Sequence, residues 1–595
     1  MMTMRHRHNR LSAACGAALF LGCSVSIPAE TLSVNLDTGW VLKTGDDPAW
    51  SDPSLDDSDW HPTRVGMPWE EAGFEGYDGH AWYRTRCVIP ESWRDHPSDE
   101  SFGEGLMLLL GPVDDVDVTY FNGVEIGRTG RMPPDYDTAY AEDRMYRIPP
   151  DAIRWGRTNV VAVRVYDGQA PGGIYRGPVE IRPPALVDFL QPGLQPGTPD
   201  GVYDASNPMV LSCSISNQLP GAVGVALEAT LQSDGNGEPR ILERIRAQVD
   251  IDGKAEVATP LEFHPTDPGF YRVACKLGDR DSTRKSTSMI VGYAPEAIDT
   301  ALTREADFES FWLDRIQDLA AVEPEFKVTP SDLSSETLSV FLVEMRSYDN
   351  VRVRGWYSVP RSPGPHPAIL HVPGYTGTME PVLDRMEVAS LALNPRGHGN
   401  SKDDVDPGDR EYMFLGFDPD HPENYIYVGA YLDCIRAVDF LASRPEIDAT
   451  RIGVEGGSQG GGLSFATAAL DPRIAYCAPD IPWLGDWIGY LNCAPASDGD
   501  YSELRETIPG LSQDTIHRIL SYVDTMNLAD RIRCPVLMSV GLQDEVCPPR
   551  TAFGTYNKIR SKKAYRVYPF SGHEVPAGHY AIKHQWVNDL LNARP

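Results

Sequence analysis

Positive charge is scarce in this chain. Its 595 residues include 53 Lys and Arg against 85 Asp and Glu, a formal charge of −32. Such a field repels phosphate backbones, so we expect no nucleic-acid partner. Long apolar runs are also scarce: the one near the N-terminus is too short for a comfortable membrane span, so no membrane span is expected. The 41% hydrophobic and 23% charged content is close to the globular average, and the length predicts several domains.

Cysteines and nucleotide-binding loops are sparse as well. Ten cysteines are too few to build a disulfide scaffold of this length. Cys213 and Cys275 each lie in an alternating strand pattern of one small region. Either a disulfide or two free buried thiols fits that pattern. Neither a Walker-type nor a dinucleotide-type Gly-rich loop appears, so we expect no cofactor, and no metal is required.

Residues 1–29 are typical of an export signal. Three arginines within the first ten residues precede apolar residues 11–23, and small residues follow up to position 29. This order predicts a protein exported to the periplasm or the medium. Two alternatives stay open: a lipid anchor on Cys23, which follows a glycine, and an ordinary buried N-terminal helix.

Residues 31–183 consist of short strand-like runs between clusters of Gly, Pro, Asn and Asp, without a long amphipathic helix. Asn122-Gly123 lies between β-type residues and predicts a type I′ hairpin turn. This pattern predicts an all-β sandwich. Seven of the chain's twelve Trp residues fall here, and they fit either a core or a sugar platform.

Four short segments of this region carry a resemblance: residues 59–70, 81–86, 121–127 and 156–160. Together they resemble the sugar-binding jelly roll of glycoside hydrolase family 2. The resemblance implies a galactose-binding-like jelly-roll β-sandwich over residues 31–183.

The next region begins with Pro- and Gly-rich residues 191–199, which are typical of a linker. Strand-length runs then recur at short spacing over residues 200–295. They predict a small immunoglobulin-like β-sandwich that acts as a spacer.

Helical stretches alternate with apolar strands over residues 298–595. Residues 368–372, 391–394, 451–455 and 536–540 are the strand-like runs. The alternation predicts βαβ units with a mostly parallel sheet, as in an α/β hydrolase. Residues 427–443 place apolar side chains at three- and four-residue steps, which predicts a helix packed on that sheet.

A G-x-S-x-G sequence at residues 456–460 places Ser458 between a strand and a helical stretch. Strand, sharp turn and helix make a nucleophile elbow, in which glycines permit a strained turn and close neighbours. A Ser hydroxyl needs a base to take its proton, and the base needs a carboxylate to orient it. The sequence therefore predicts Ser458 as a nucleophile, with an acid and a His further along the chain.

The expected acid is Asp544 and the expected base is His573. Each follows a strand, where side chains project from the C-terminal edge of a parallel sheet. Glu545 is the alternative acid. His579 and His584 are the alternative bases, but they fall in or beside the final helix.

Two backbone N–H groups should form an oxyanion hole. One belongs to Gln459, which follows the nucleophile, and the other to a loop after an early strand. Tyr375, in the segment after residues 368–372, is the expected second donor. Alternatively, Gly374-Tyr375 only turns the chain.

The C-terminal half, from about residue 307, resembles carbohydrate esterase family 7, the acetyl xylan esterase and cephalosporin C deacetylase group. The resemblance is carried by Gly374-Tyr375, Arg396-Gly397, and residues 454–463, 542–549 and 573–574. It implies a serine esterase that removes acetyl groups from saccharides or polysaccharides. One departure is His398, where the family has Gln in its Arg-Gly-Gln sequence. The sequence therefore leaves the preferred sugar and the oligomeric state open, a homo-oligomer included.

Two other functions share part of this pattern. A serine peptidase of the prolyl oligopeptidase type shares the elbow and the order of the triad, but its propeller would require repeats of about 40 to 50 residues, and none is seen before residue 300. A noncatalytic glycan-binding protein would not need the complete set of Ser458, Asp544 and His573.

Overall fold

The computed structural model describes residues 32–94, 104–168, 171–234, 240–278, 285–385, 387–408, 410–494 and 511–592. The predicted export signal, including Cys23, lies outside the described residues. The chain forms two compact units that divide between residues 185 and 186. Among the described residues, no helix is both long and apolar enough to cross a membrane.

The N-terminal unit is built from two β-sheets. One has the strand order β1-β10-β5-β8 and the other β3-β2-β4-β9-β6-β7. The strands are β1 Val34–Asn35, β2 Trp40–Thr44, β3 His61–Thr63, β4 Gly79–Val88, β5 Leu106–Pro112, β6 Val116–Phe121, β7 Val124–Thr129, β8 Asp143–Ile148, β9 Thr158–Asp167 and β10 Glu180–Arg182.

Local chemistry explains the predicted hairpin of this unit. Asn122 and Gly123 connect β6 to β7 with φ of 50° and 84°, the two positive values that a type I′ turn needs. Trp40, Trp69 and Trp82 are fully buried. These three indoles therefore belong to the core and are not available as sugar platforms.

The second β region, residues 190–293, also contains two sheets, with the strand orders β11-β13-β16 and β12-β18-β17-β14-β15. Its strands are β11 Leu190–Pro196, β12 Val202–Tyr203, β13 Met209–Asn217, β14 Val223–Asp234, β15 Ile241–Ile251, β16 Glu256–Phe263, β17 Gly269–Leu277 and β18 Lys285–Tyr293.

The linker predicted at residues 191–199 is corrected by the structure, since most of it is strand β11, which pairs with β13. Proline lacks the N–H that a central strand needs, but β11 lies at a sheet edge, where proline is tolerated. Cys213 in β13 and Cys275 in β17 are buried free thiols, joined by a hydrogen bond between the two opposite sheets.

The C-terminal α/β region follows. Its nine-stranded sheet has the order β19-β20-β21-β23-β22-β24-β25-β26-β27, antiparallel up to β23 and parallel from β23 to β27. The strands are β19 Lys327–Pro330, β20 Leu338–Arg346, β21 Arg352–Pro360, β22 His366–Val372, β23 Ala389–Asn394, β24 Ile447–Gly457, β25 Ile474–Asp480, β26 Val536–Gly541 and β27 Lys563–Tyr568.

Helices cover this sheet, as the alternating pattern predicted. They are α1 Phe308–Ala321, α2 Ile426–Ser443, α3 Gln459–Leu470, α4 Trp487–Cys493, α5 Gln513–Val523, α6 Thr525–Leu528, α7 Pro549–Lys558 and α8 Ala577–Asn592. The helix expected over residues 427–443 is confirmed as α2, and it is buried almost all round. Strand β24 lies between β22 and β25, so its C-terminal end reaches the middle of the sheet edge, where open α/β sheets hold their ligands.

The second β region and the α/β region share one hydrophobic core. Phe270 of β17 packs on Phe553 of α7 with ring centroids 5.6 Å apart, and Ile290 of β18 belongs to the same buried cluster. Residues 186–595 accordingly form one compact unit.

Candidate active site

Ser458 stands on a strained turn at the end of β24. Its φ of 57° and ψ of −122° are unfavourable for a residue with a Cβ, and such strain is typical of functional turns. The glycines on either side are required by space. A Cβ on Gly456 would lie 2.6 Å from the Gly460 carbonyl oxygen, and one on Gly460 would lie 2.5 Å from the carbonyl oxygen of Val372. The strand, the strained turn and the helix α3 that follows it have the geometry that the sequence predicted for a nucleophile elbow.

His573 lies between Ser458 and Asp544. Its Nε2 is 3.0 Å from the Ser458 Oγ, and its Nδ1 is 2.9 Å from Asp544 Oδ2. The other carboxylate oxygen, Oδ1, accepts the backbone N–H groups of Val546 at 2.9 Å and Cys547 at 2.7 Å. A carboxylate only accepts hydrogen bonds, so the imidazole proton sits on Nδ1 and leaves Nε2 free to accept the Ser458 proton.

The alternative acid and bases have other surroundings. Glu545 is exposed. His579 Nε2 is 2.8 Å from Asp480 Oδ1, and His584 Nε2 is 2.7 Å from an Arg385 nitrogen. The structure thus brings together the three residues that sequence reasoning favoured.

The two expected oxyanion donors belong to helix α3, which follows the elbow, and to a loop that lies beside it. Gln459 is the first residue of α3, and the first N–H groups of a helix have no intrahelical acceptor. The positive end of the helix dipole adds to the attraction for an anion. The Gln459 Nε2 is 3.4 Å from the Gly374 carbonyl oxygen, which holds the loop carrying Tyr375 beside the elbow. The Tyr375 hydroxyl donates to Glu411 at 2.7 Å, so that side chain is anchored too.

Two residues that sequence reasoning did not assign hold the Gln459 side chain. The Tyr427 hydroxyl donates to its Oε1 at 2.8 Å, and its Nε2 is 3.0 Å from His398 Nε2. His398 is the departure from the family's Arg-Gly-Gln. Its Nδ1 faces the Arg396 carbonyl oxygen at 3.3 Å, and burial lowers the pKa of this imidazole to about 4. A neutral His398 therefore accepts a hydrogen bond where the family has an amide.

Cys547 is a further residue that sequence reasoning missed as part of the site. Its Sγ is 3.9 Å from the Ser458 Oγ, and the side chain is buried. Burial raises the pKa of this thiol well above its usual value. It therefore stays protonated, and a small neutral side chain lies next to the Ser458 hydroxyl.

A buried polar network supports the elbow from below. The Ser458 N–H donates to the Asp480 carbonyl oxygen at 3.0 Å. The Asp480 carboxylate binds His579, Lys583 and Ser539. Burial acts to raise the pKa of Asp480, but the hydrogen bonds and charges of His579 and Lys583 outweigh it and lower that pKa. The carboxylate stays ionised, and the strand end that carries the turn is held in place.

A polar cavity of about 440 Å³ opens beside His573 at the C-terminal edge of the sheet. Its lining includes the charged side chains of Arg385, Glu455 and Lys583, and the Tyr580 ring. The Tyr580 side chain is 49% exposed. The cavity thus offers charged hydrogen-bonding groups and one aromatic face next to His573.

Among the described residues, one cluster of three carboxylates has the spacing of metal ligands. It consists of Asp114, Asp115 and Asp167 of the N-terminal unit. Burial and the neighbouring Asp115 carboxylate raise the pKa of Asp114 to about 8. Protonation of Asp114 therefore lowers the negative charge of this group at neutral pH. None of Ser458, Asp544 and His573 belongs to it.

Comparison with known proteins identifies the α/β region. Residues 297–590 match the acetyl xylan esterase (AXE1) family. The acetyl esterase Axe7A of Xylanibacter ruminicola is 28% identical over 296 residues, which are 48% of this chain and 66% of that protein. About a third of Axe7A therefore lies outside the match.

Two solved structures resemble parts of the chain. Acetyl xylan esterase 1 from Thermoanaerobacterium is 30% identical, with 50% of this chain and 97% of that chain covered and a TM-score of 0.47. A β-glucuronidase of glycoside hydrolase family 2 is 12% identical, with 45% of this chain and 31% of that chain covered and a TM-score of 0.29. Residues 297–590 of this chain therefore belong to the acetyl xylan esterase (AXE1) family, a family of serine carboxylic-ester hydrolases.

Proposed function

We propose that this protein is an exported acetylesterase that removes acetyl groups from saccharides or polysaccharides through a Ser458–His573–Asp544 triad. The observation that carries the proposal is the unbroken hydrogen-bond chain from Asp544 through His573 to Ser458, with distances of 2.9 and 3.0 Å. Export rests on the pattern of residues 1–29. The AXE1 family match supports an acetyl ester as the substrate.

The first half of the reaction forms an acetyl-enzyme. The Ser458 Oγ attacks the acetyl carbonyl carbon while His573 Nε2 takes its proton, and Asp544 stabilises the imidazolium. Negative charge develops on the carbonyl oxygen, where the N–H groups of Gln459 and Tyr375 receive it. The tetrahedral intermediate then collapses: the bond to the sugar oxygen breaks, and His573 returns the proton to that oxygen.

The second half releases acetate. His573 takes a proton from a water molecule, whose oxygen attacks the acetyl carbonyl carbon. Collapse of the second tetrahedral intermediate breaks the bond to the Ser458 Oγ, which recovers its proton from His573. The overall reaction is the hydrolysis of an acetyl ester by one water molecule to a free sugar hydroxyl and acetic acid.

The cavity beside His573 supports a sugar as the leaving group. The leaving oxygen must come within hydrogen-bond reach of His573 Nε2, and His573 lines this cavity. Its volume of about 440 Å³ lies within the ~300–1,000 Å³ of small-molecule sites. The partly exposed Arg385 offers a charged partner for a hydroxyl group, and the exposed Tyr580 ring offers an apolar face for a sugar ring.

The two β regions are assigned as scaffolds. The paired sheets of residues 32–182 support a galactose-binding-like jelly roll, and those of residues 190–293 support an immunoglobulin-like sandwich. Burial of Trp40, Trp69 and Trp82 favours a structural role for the first of them.

A substrate panel tests the function. It contains acetylated xylan, acetylated monosaccharides, cephalosporin C and a prolyl-peptide amide, each measured with the wild type and with Ser458→Ala. We expect hydrolysis of the acetyl esters, none of the amide, and none by the variant. Efficient amide cleavage would favour the peptidase alternative, and inactivity on every acetyl ester would favour a noncatalytic role.

A further inference from the structure

One side chain links the second β region to the loops of the triad. The Oε1 of Gln543 accepts the Ile290 N–H at 2.9 Å, and its Nε2 donates to the Ile290 carbonyl oxygen at 3.1 Å. The same Nε2 donates to the Pro569 carbonyl oxygen at 2.7 Å. The amide thus pairs with the backbone of strand β18 as a neighbouring strand would, and it also binds the loop after β27.

Gln543 occupies a special place in the chain because it directly precedes Asp544. Its backbone N–H donates to the Ser571 carbonyl oxygen at 2.9 Å. Pro569 and Ser571 both lie in the loop that leads to His573. One residue therefore joins three segments: strand β18, the loop of the triad acid and the loop of the triad base.

Packing at the same place reinforces the link. Gly201 of the second β region has φ of 69°, and a Cβ there would lie 2.8 Å from Leu542 Cδ1 and 3.2 Å from Pro569 Cβ. Leu542 is in the acid loop and Pro569 in the base loop. The second β region thus contacts both loops at once.

We propose that the second β region is part of the catalytic scaffold, and that Gln543 is a positioning residue that fixes the acid loop against the base loop. This inference rests on the proposed triad. The Asp544–His573 hydrogen bond depends on how these two loops lie against each other. A 1 Å misplacement far from the chemistry can cost ~10²-fold in rate, because reacting groups must already be aligned.

The effect should appear in kcat and leave KM unchanged. Among the described residues, none that lines the cavity beside His573 comes from residues 190–293. We call the hydrogen bonds from the Gln543 side chain to Ile290 and Pro569 the clamp. Substrate binding in the cavity does not depend directly on the clamp, whereas proton transfer by His573 does.

The test compares Gln543→Leu and Gln543→Glu with a matched control, Asn557→Leu, in the full-length protein. Gln543→Leu removes all three side-chain hydrogen bonds. Gln543→Glu keeps the bond from the Ile290 N–H and loses both donations. Asn557 Nδ2 donates to the Pro295 and Ile298 carbonyl oxygens at 2.9 Å each, so its loss loosens the segment that directly follows β18 from helix α7 and removes no hydrogen bond of either triad loop.

We expect kcat on p-nitrophenyl acetate to fall ~10- to 100-fold in Gln543→Leu. Gln543→Glu should lose at least as much, because its second carboxylate oxygen would face the Ile290 and Pro569 carbonyl oxygens. KM should stay within about twofold of the wild type in both. Asn557→Leu should keep kcat within about twofold. Thermal unfolding of each variant shows whether it is folded at the assay temperature, so that a lower kcat is not caused by unfolded protein.

Two results would overturn the clamp: wild-type kcat in a folded Gln543→Leu, or equal losses of kcat in Gln543→Leu and Asn557→Leu. Ser458→Ala in the same assay separates the two proposals. If it is inactive while Gln543→Leu has wild-type kcat, only the clamp fails. If it is active, the proposed triad fails.

Discussion

Asp544→Asn is predicted to inactivate the enzyme while leaving its fold intact. In the native protein Asp544 Oδ1 accepts two backbone N–H groups, and Oδ2 faces the His573 Nδ1. The amide oxygen of Asn must take the first position, because a second donor there would oppose the two N–H groups. The amide NH₂ then faces His573 Nδ1.

The magnitude follows from the imidazole tautomer. An NH₂ group 2.9 Å from Nδ1 needs an acceptor, so the His573 proton moves to Nε2, the nitrogen that faces the Ser458 Oγ. A protonated Nε2 cannot accept the Ser458 proton. The same change in a serine-protease triad lowers kcat about 10⁴-fold, which corresponds to about 5.4 kcal/mol of transition-state stabilisation.

The two Asp544 variants should differ in stability in a way that does not follow their loss of activity. Asp544→Asn keeps an acceptor for both backbone N–H groups, so its free energy of unfolding should change by about 1 kcal/mol or less. Asp544→Ala leaves those N–H groups without a side-chain partner and should be less stable, by ~1–3 kcal/mol. It should be no less active than Asp544→Asn, since Ala does not force the tautomer.

The assay measures kcat on an acetyl ester beside urea unfolding for each variant. Glu545→Gln is the matched control, because it removes one negative charge from the adjacent, exposed residue and should keep kcat within about twofold. More than a tenth of wild-type kcat in a folded Asp544→Asn would refute the reasoning, as would an equal loss in Glu545→Gln.

Two further predictions concern acid sensitivity and the acyl group. Because burial lowers the pKa of His398 to about 4 from an ordinary 6.5, the unfolded chain binds a proton at pH values where the folded chain does not. The free energy of unfolding should therefore fall as pH drops from 6.5 to 4, by up to ~3 kcal/mol. His398→Gln accepts from Gln459 without titrating, so between pH 7 and pH 4.5 it should lose ~2 kcal/mol less than the wild type in urea unfolding, and equal losses would contradict this. The acyl series from acetyl to butyryl should show a steep fall in kcat/KM, since one extra methylene in a tight pocket can cost ~1–3 kcal/mol; a preference for butyryl or longer esters would indicate a lipase-like enzyme instead.

The sequence predicted most of the site because its signals are local. The strand before Ser458, the glycines around it and the helix after it are contiguous, so the elbow can be read directly. Asp544 and His573 each follow a strand of the same sheet, and the order nucleophile, acid, base limited the alternatives. The hairpin at Asn122-Gly123 was predictable for the same reason.

Other features depend on contacts between distant parts of the chain. The bond from Gln543 to Ile290 joins residues 253 positions apart, and no local pattern marks it. His398 was recognised as a departure, but its role became visible only with Gln459 beside it. Residues 191–199 have a linker's composition, and only the pairing of β11 with β13 at a sheet edge makes most of them a strand.

The measurement that tests the central claim most directly is covalent labelling of the nucleophile. The protein is treated with phenylmethylsulfonyl fluoride, and its intact mass, labelled peptide and residual activity on an acetyl ester are followed together. We predict one adduct per chain on Ser458, formed in proportion to the loss of activity and absent from Ser458→Ala, which should itself lose ~10⁴- to 10⁶-fold in kcat. A fully active protein with Ser458 labelled, or an inactivated one labelled elsewhere, would contradict the account.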